Sequence, residues 1–386
     1  MKNHKLTILF DAGPIVNGPK SGIGHYTHRL IEALASRHPE ELQLYGHYFN
    51  FLGRKRPPLP KNSNLHYRVS KIIPGKAQSA LRRIGLQIPF DMLLRKRGDI
   101  ALFPNFVSLP TMRPIKKVVA IHDLGFIYHP QYLQPANLKF LQKFVPLSIK
   151  KASKIITISE STKSQLIDNY DVKSDKISVI TPAADNDYYY PRSASEVSNI
   201  RKKYGLPAKY VLFTSTLEPR KNIEGVLRSY AALDEKIKKA YGLVLAGGKG
   251  WEDESILKTI NELRAAGENI ITTGYVPDED LPAIYSGAAL FVYPSFYEGF
   301  GIPPLEAMAC GVPVISADNT SLPEVVGNAG LYVKAEDTAG LTLLIEQVLA
   351  NPKLAKELRQ KGFKQAKKFS WQESAQQLFN LLEELK

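Results

Sequence analysis

Short runs of Val, Ile, Leu and Phe alternate along this chain with longer stretches in which apolar residues recur every three or four positions. Residues 5–10, 42–49, 100–103, 117–121, 154–158 and 177–180 are such runs, bounded by Gly, Pro and Asp, and they predict strands. Between them, 24–36, 137–152 and 160–169 predict helices. Ser159 stands where an N-cap hydroxyl would accept an orphan N–H of the last of these. Residues 182–195, rich in Tyr, Asp and Pro, break the rhythm and read as a linker. The alternation then restarts, with strands predicted at 210–214, 242–246, 270–273, 290–293 and 312–316 and helices at 222–233, 252–266, 280–287 and 303–310. The tail predicts helices at 354–369 and 371–385, with a hinge-like break at Phe369-Ser370-Trp371. Repeated β–α alternation requires parallel sheets covered by helices, here twice over. The expected class is α/β, as two facing Rossmann-like β/α/β domains with a cleft between them. Residues 1–182 are expected to form the first domain and 183–368 the second, with 369–386 a helix packing back on the first. Ligands of such sheets collect outside the carboxyl ends of the strands.

Length supports the division, since 386 residues exceed what one ordinary core holds. A single cysteine, Cys310, excludes internal disulfides and Cys-rich metal sites, and fits a reducing compartment. The apolar stretch at residues 6–10 is too short for a signal-peptide core, and no run approaches the ~20 apolar residues of a membrane span. The expected location is the cytoplasm.

The formal charge of +14 is unevenly placed. Residues 1–180 hold 28 Lys/Arg and 11 Asp/Glu, a net of +17; the remainder holds 23 and 26, a net of −3. Residues 51–120 alone carry 15 basic against 2 acidic side chains. The first half therefore presents a basic surface to a large anion. Residues 71–97 mix basic and apolar side chains at roughly helical spacing, a pattern suited to anionic lipid headgroups, and make an inner-leaflet surface a candidate partner. The competing reading is a solvated helix face. Counterion release on nucleic acid would also use the charge, but it leaves the acidic second half unexplained, so no nucleic-acid partner is expected.

The most informative stretch runs from Pro294 through Glu298-Gly-Phe-Gly-Ile-Pro-Pro-Leu-Glu306 to Cys310-Gly-Val-Pro. A strand ends at Pro294, a glycine-bearing loop follows, and Pro303-Pro304 open a helix at a position where proline is tolerated. Gly299 and Gly301 let backbone amides approach a ligand at a helix N-terminus that favours anions. Glu298 lies in the loop and Glu306 about one turn inside the helix, so the two carboxylates can serve different hydroxyl-bearing partners. A second motif, Thr216-Leu-Glu-Pro-Arg220-Lys221-Asn222, places adjacent cations where a helix begins. That position disfavours cations unless an anion is expected there, and a diphosphate fits.

The Glu298–Glu306 segment resembles the E-x7-E signature of the retaining glycosyltransferases of family 4, which have the GT-B fold. The likeness continues into Ser321-Leu-Pro-Glu-Val-Val-Gly and extends across nearly the whole chain. The resemblance implies that Glu298 lies against the transferred sugar and Glu306 binds the ribose hydroxyls. It implies that amides around Phe300, Gly301 and Ile302 hold donor oxygens, and that Arg220 and Lys221 neutralise the diphosphate as it leaves. Backbone near Gly274-Tyr-Val276 is expected to contact the base. Ser215 departs from the family's usual glycine.

In the first half, Gly22, Ile23, Gly24 and His25 open a helix after the first strand. The resemblance puts Gly24 near the donor phosphate, with Gly22, Ile23 and His25 on the acceptor side. His25 stands where the family often has arginine. The strand-terminal His122 is implied to lie near the donor sugar, without having to act as a general base. A nicotinamide-binding reading of Gly22-Ile-Gly24 lacks an acidic residue at the end of strand two, where Tyr48-Phe49-Asn50 stand. Asp185-Asn-Asp187 fits a metal-holding D-x-D pattern but falls in the linker and reads as a turn. Gly247-Gly-Lys-Gly250 lacks the spacing and the Ser/Thr of a P-loop. No metal and no cofactor is expected beyond a nucleotide-diphosphate sugar as donor. The Gly-Ile-Gly-His-Tyr-Thr and Glu-Pro-Arg-Lys-Asn motifs look most like the family's mannosyltransferases. They point to GDP-mannose first, then UDP-glucose or a UDP-N-acetylhexosamine. A glycan or lipid-linked saccharide is the expected acceptor, in surface polysaccharide synthesis.

Overall fold

The computed structural model describes residues 5–16, 22–53, 57–71, 87–185, 187–250 and 253–386. It divides into two compact units. The first comprises Met1–Tyr128, Pro135–Pro182 and Trp371–Lys386; the second comprises His129–Gln134 and Ala183–Ser370.

The first unit is built on a seven-stranded parallel sheet of order β3-β2-β1-β4-β5-β6-β7. Its strands are β1 (Leu6–Asp11), β2 (Leu42–Phe49), β3 (Leu65–Ser70), β4 (Ile100–Phe103), β5 (Lys116–Ile121), β6 (Lys154–Thr157) and β7 (Ile177–Val179). The central strands are apolar on both faces because helices cover both, as a parallel sheet demands. Every residue of β4 is buried. The helix Glu160–Tyr170 starts at Ser159, whose hydroxyl accepts from the Thr162 amide at 3.1 Å. The last helix, Trp371–Glu384, packs on Gly22–Arg37. It buries Ala375, Leu378, Leu381 and Leu382, each leucine contributing about 1.5–3 kcal/mol. Its Ser374 hydroxyl donates to the Thr181 carbonyl at 2.7 Å.

The second unit holds a six-stranded parallel sheet of order β10-β9-β8-β11-β12-β13. Its strands are β8 (Tyr210–Thr214), β9 (Gly242–Ala246), β10 (Ile270–Gly274), β11 (Leu290–Tyr293), β12 (Val314–Ala317) and β13 (Gly330–Val333). The two-fold α/β architecture expected from the alternation is the one found.

Two edge strands and several helices escape the hydrophobic pattern. β3, Leu-His-Tyr-Arg-Val-Ser, is a sheet edge of mixed polarity, and β13, Gly-Leu-Tyr-Val, is an edge strand of only four residues. The helix Ala194–Tyr204 begins inside the stretch that reads as a linker, and a capping box between Ser193 and Glu196 starts it. The helix Thr338–Ala350 is likewise additional. Within the basic stretch, residues 72–86 lie outside the described residues, and a five-residue helix, Phe90–Leu94, follows them. Among the described residues no helix is long and apolar enough to cross a membrane.

Candidate functional site

In the second sheet the strand order reverses between β8 and β11, and the loops leaving their carboxyl ends diverge there. The loop after β8 carries Arg220 and Lys221; the loop after β11 carries Glu298. Asn222 ties the two loops together. Its backbone is left-handed (φ 56°), and its buried side-chain amide donates to the Pro294 carbonyl at 3.0 Å and the Ala335 carbonyl at 2.6 Å. The Phe296 amide donates to the Arg220 carbonyl at 3.0 Å.

These ties bring the two cations onto Glu298. Lys221 Nζ is 2.7 Å from Glu298 Oε1 and 3.1 Å from the Tyr293 hydroxyl. Arg220 Nη1 donates to the Tyr297 carbonyl at 2.6 Å and to Glu298 Oε2 at 3.3 Å, while its Nη2 reaches Glu218 Oε1 at 3.1 Å. Burial opposes ionisation of Glu298, but the charges and hydrogen bonds of Lys221 and Arg220 more than offset it and hold its pKa down at about 2. Burial, and then the Arg220 charge, pull Lys221 below its ordinary value, while Glu298 acts the other way. Two cations thus face two carboxylates, Glu298 and Glu218.

The helix Ile302–Ala309 starts at Gly301, whose φ of 129° belongs to glycine; a Cβ there would lie 2.8 Å from Leu322 Cδ2. Its four orphan amide positions are Gly301 to Pro304, and two of them are prolines without an N–H. The N–H groups at that end are those of Gly301 and Ile302. Phe300, beside them, is buried with its ring edge-on to Phe369. One turn in, Glu306 is 9% exposed and sits in a different environment from Glu298. Its Oε2 accepts from the Tyr285 hydroxyl at 2.9 Å, and Tyr189 also donates to it. Burial pushes its pKa up to about 7, against the lowering effect of the two phenols and with a further upward push from Asp278. The two carboxylates of this segment thus sit in opposite environments: cations hold the Glu298 pKa down, and burial raises that of Glu306.

Residues 20–188 match the family described as Glycosyltransferase Family 4, and residues 196–365 match Glycosyl transferases group 1. The chain is 37% identical to O-antigen chain mannosyltransferase B of Escherichia coli over 97% of its own length and 99% of that protein's. The chain belongs to glycosyltransferase family 4.

Its fold is GT-B. Sucrose-phosphate synthase from Thermosynechococcus elongatus superposes with a TM-score of 0.76 at 20% identity, covering 99% of each chain. HepE of Anabaena, solved in complex with UDP and glucose, superposes with a TM-score of 0.73 at 17% identity, covering 98% of this chain and 100% of that one.

The other residues singled out in this glycosyltransferase take the following places. Val276 is buried just beyond β10, after Gly274 (φ 68°), and Tyr275 between them is 63% exposed. β10 lies two strands from β8, about 10 Å at the usual strand spacing. In the first unit, Gly22, Ile23, Gly24 and His25 form the first turn of the helix Gly22–Arg37. The His25 ring meets Trp371 edge-on at 6.2 Å. His122 follows β5, and its Nε2–H donates to the Pro104 carbonyl at 2.7 Å. Tyr26 and Phe106 flank its ring at 5.4 and 5.6 Å. Burial lowers its pKa, more than the Pro104 bond and Asp123 raise it, so the imidazole is neutral at physiological pH. Asp123 accepts from the Gly125 amide at 2.8 Å. Asp185 accepts from the amides of Tyr188 (2.8 Å) and Tyr189 (2.6 Å), as a turn does. Among the described residues no group of three His, Cys, Asp or Glu could hold a metal ion.

Several residues around Glu298 carry no motif of their own. Thr320, itself left-handed (φ 48°), accepts from the Glu298 amide at 3.2 Å. Ser321 donates to the carbonyls of Glu298 (3.0 Å) and Phe300 (2.6 Å), and Asn319 to those of Ser295 (3.0 Å) and Phe296 (3.2 Å). This turn after β12 holds the whole loop; the sequence marks it only through the Ser321-Leu-Pro-Glu continuation of the family likeness. His129 and Tyr132, stacked on each other at 5.7 Å, pack on Tyr297 and Phe296 at 5.2 and 6.0 Å. No periodicity signals that contact, because those two residues stand more than 160 positions from their partners.

Proposed function

We propose that the chain is a retaining mannosyltransferase that takes mannose from GDP-mannose and passes it to a glycan or lipid-linked saccharide in surface-polysaccharide synthesis. The observation that carries this reading is the 37% identity, over nearly the full length of both chains, with an O-antigen mannosyltransferase. The residues support a nucleotide-sugar donor. Arg220 and Lys221 exchange Glu298 and Glu218 for the diphosphate, and the Gly301 and Ile302 amides hold donor oxygens. Glu306 accepts from the ribose, and backbone at Val276 meets the base. Gly24 is assigned to the donor phosphate, and Gly22, Ile23 and His25 to the acceptor.

In the transfer, the bond from the sugar's anomeric carbon to the β-phosphate oxygen breaks, and its electron pair leaves with the phosphate. The acceptor oxygen bonds to the same face, and its proton passes to the departing phosphate oxygen. Glu298, its carboxylate released as Arg220 and Lys221 take the diphosphate, faces the positive charge that builds on the sugar ring. His122, neutral and fixed through Nε2, offers the sugar a hydrogen-bond partner rather than a base. The leaving charge is taken by Arg220 and Lys221, so the scheme calls on no metal.

The test is transfer of label from GDP-mannose, UDP-glucose and a UDP-N-acetylhexosamine to a mannose-terminated acceptor, with the product's anomeric configuration read by NMR. Transfer from GDP-mannose with the donor's configuration kept is expected. Transfer from a UDP-sugar alone, or inversion, overturns the reading. The basic first half, net +17 over residues 1–180, suits an acceptor held at an anionic inner-leaflet surface. Co-sedimentation should then require anionic lipid, and indifference to lipid charge contradicts it.

A further inference from the structure

We propose that Tyr285 and Tyr189 are positioning residues for donor binding: their hydroxyls clamp the Glu306 carboxyl so that its remaining lone pairs face the ribose diol of a nucleoside diphosphate. The inference rests on the assignment of Glu306 to the ribose.

The clamp is built from three separate parts of the second unit. Tyr285, in the helix Leu281–Gly287, is fully buried and donates to Glu306 Oε2 at 2.9 Å. Thr214, the last residue of β8, fixes that phenol with an Oγ1–Oη contact of 2.6 Å. Tyr189 arrives from the segment at the start of the unit. It hydrogen-bonds to Glu306 and sets its ring 6.0 Å from that of Tyr285, at 70°.

The polar partners of Glu306 here are therefore neutral donors. The other group acting on it is Asp278, which disfavours its ionised form; Cys310, one turn on, has a thiol that burial and the Glu306 charge push up. Ser286 hydrogen-bonds to Cys310, and Arg192 acts on that thiol rather than on Glu306 in this cluster. A carboxylate has about four acceptor sites, and two donors at fixed positions leave two for a vicinal diol. Protonation converts one of those acceptors into a donor that a diol hydroxyl meets poorly. The phenols favour the ionised form, opposing the burial that drives Glu306 up to about 7. Removing one hydroxyl therefore both loosens the carboxyl and raises its pKa further.

That coupling gives a signature that a purely structural tyrosine lacks. GDP and UDP affinities would be measured by calorimetry from pH 6 to 9 for the intact wild type, Tyr285→Phe, Tyr189→Phe and Thr214→Val. Each Phe variant is expected to bind the nucleotide about tenfold more weakly at pH 7 and to recover to within about threefold of wild type at pH 9. KM for the donor rises with little change in kcat. Thr214→Val, which keeps the Tyr285–Glu306 bond, shifts in the same direction by a smaller factor. Wild-type binding of a nucleotide, with both Phe variants matching it at every pH, overturns this inference and leaves the donor-site reading standing. So does equal weakening at pH 7 and pH 9. Failure of wild type to bind any nucleoside diphosphate overturns the donor-site reading and this inference together.

Discussion

Glu306→Gln should make the ligand-free protein more stable at alkaline pH while abolishing its use of donor. The Glu306 carboxyl ionises near 4.5 in an unfolded chain and at about 7 in the fold, with burial as the largest cause. The folded state therefore binds the proton more tightly between those values, and stability falls as pH rises from about 4.5 through 7. At about 1.36 kcal/mol per pH unit, the displacement costs the wild type about 3 kcal/mol once the group is ionised. Gln keeps the volume and an acceptor for the Tyr285 hydroxyl at 2.9 Å, but it carries no charge to desolvate. For a unit of about 150–250 residues, 1 kcal/mol is worth about 2–4 °C, so the variant should melt about 6–12 °C higher at pH 9. Near pH 4.5 the difference should vanish. The assay is thermal unfolding of ligand-free protein at pH 4.5, 7 and 9. A wild type as stable as Glu306→Gln at pH 9, or parallel pH profiles for the two, refutes the argument that this carboxyl is strained by burial.

Arg220→Ala should weaken nucleoside-diphosphate binding by ~1.5–3 kcal/mol, about ten- to hundredfold, because a charge-assisted hydrogen-bond partner is lost; calorimetry reads this directly. Glu298→Ala should mainly lower kcat. It also releases Lys221 from its 2.7 Å ion pair, so affinity for the free nucleoside diphosphate should hold or tighten in an equilibrium binding assay. Gly301→Ala should destabilise by about 1–3 kcal/mol in urea unfolding, because its φ of 129° and the 2.8 Å approach to Leu322 exclude a Cβ.

The parts of the fold legible in the chain were those with local signatures. β4, β8, β9 and β11 are short, almost wholly apolar runs buried along their whole length, and β2 shows through its Leu, Tyr and Phe positions. β3 is a sheet edge of mixed polarity, and β13, another edge, offers only three apolar residues after Gly330, too short a run to announce a strand. The helix Ala194–Tyr204 did carry a readable start, Ser193-Ala-Ser-Glu196, but the Tyr- and Pro-rich context outweighed it. At the site, Arg220, Lys221, Glu298 and Glu306 belong to motifs and stand out from the residues themselves. What the sequence could not supply is how the charges are apportioned. Both cations go to Glu298, and neutral phenols go to Glu306, through Tyr285 and Tyr189, which carry no motif. Asn222, Asn319, Thr320 and Ser321 likewise act only once β8, β11 and β12 bring their loops together.

In the proposed donor site Glu306 and Arg220 together hold a nucleoside diphosphate whose base is guanine. The most direct measurement is the thermal shift of wild type, Glu306→Ala and Arg220→Ala with saturating GDP, UDP and ADP, since only a nucleotide that binds the folded state stabilises it. The expected result is a large upward shift of the wild type with GDP, much smaller shifts with UDP and ADP, and loss of the GDP shift in both variants. An equal GDP shift in all three proteins, or no nucleotide-dependent shift in the wild type, contradicts it.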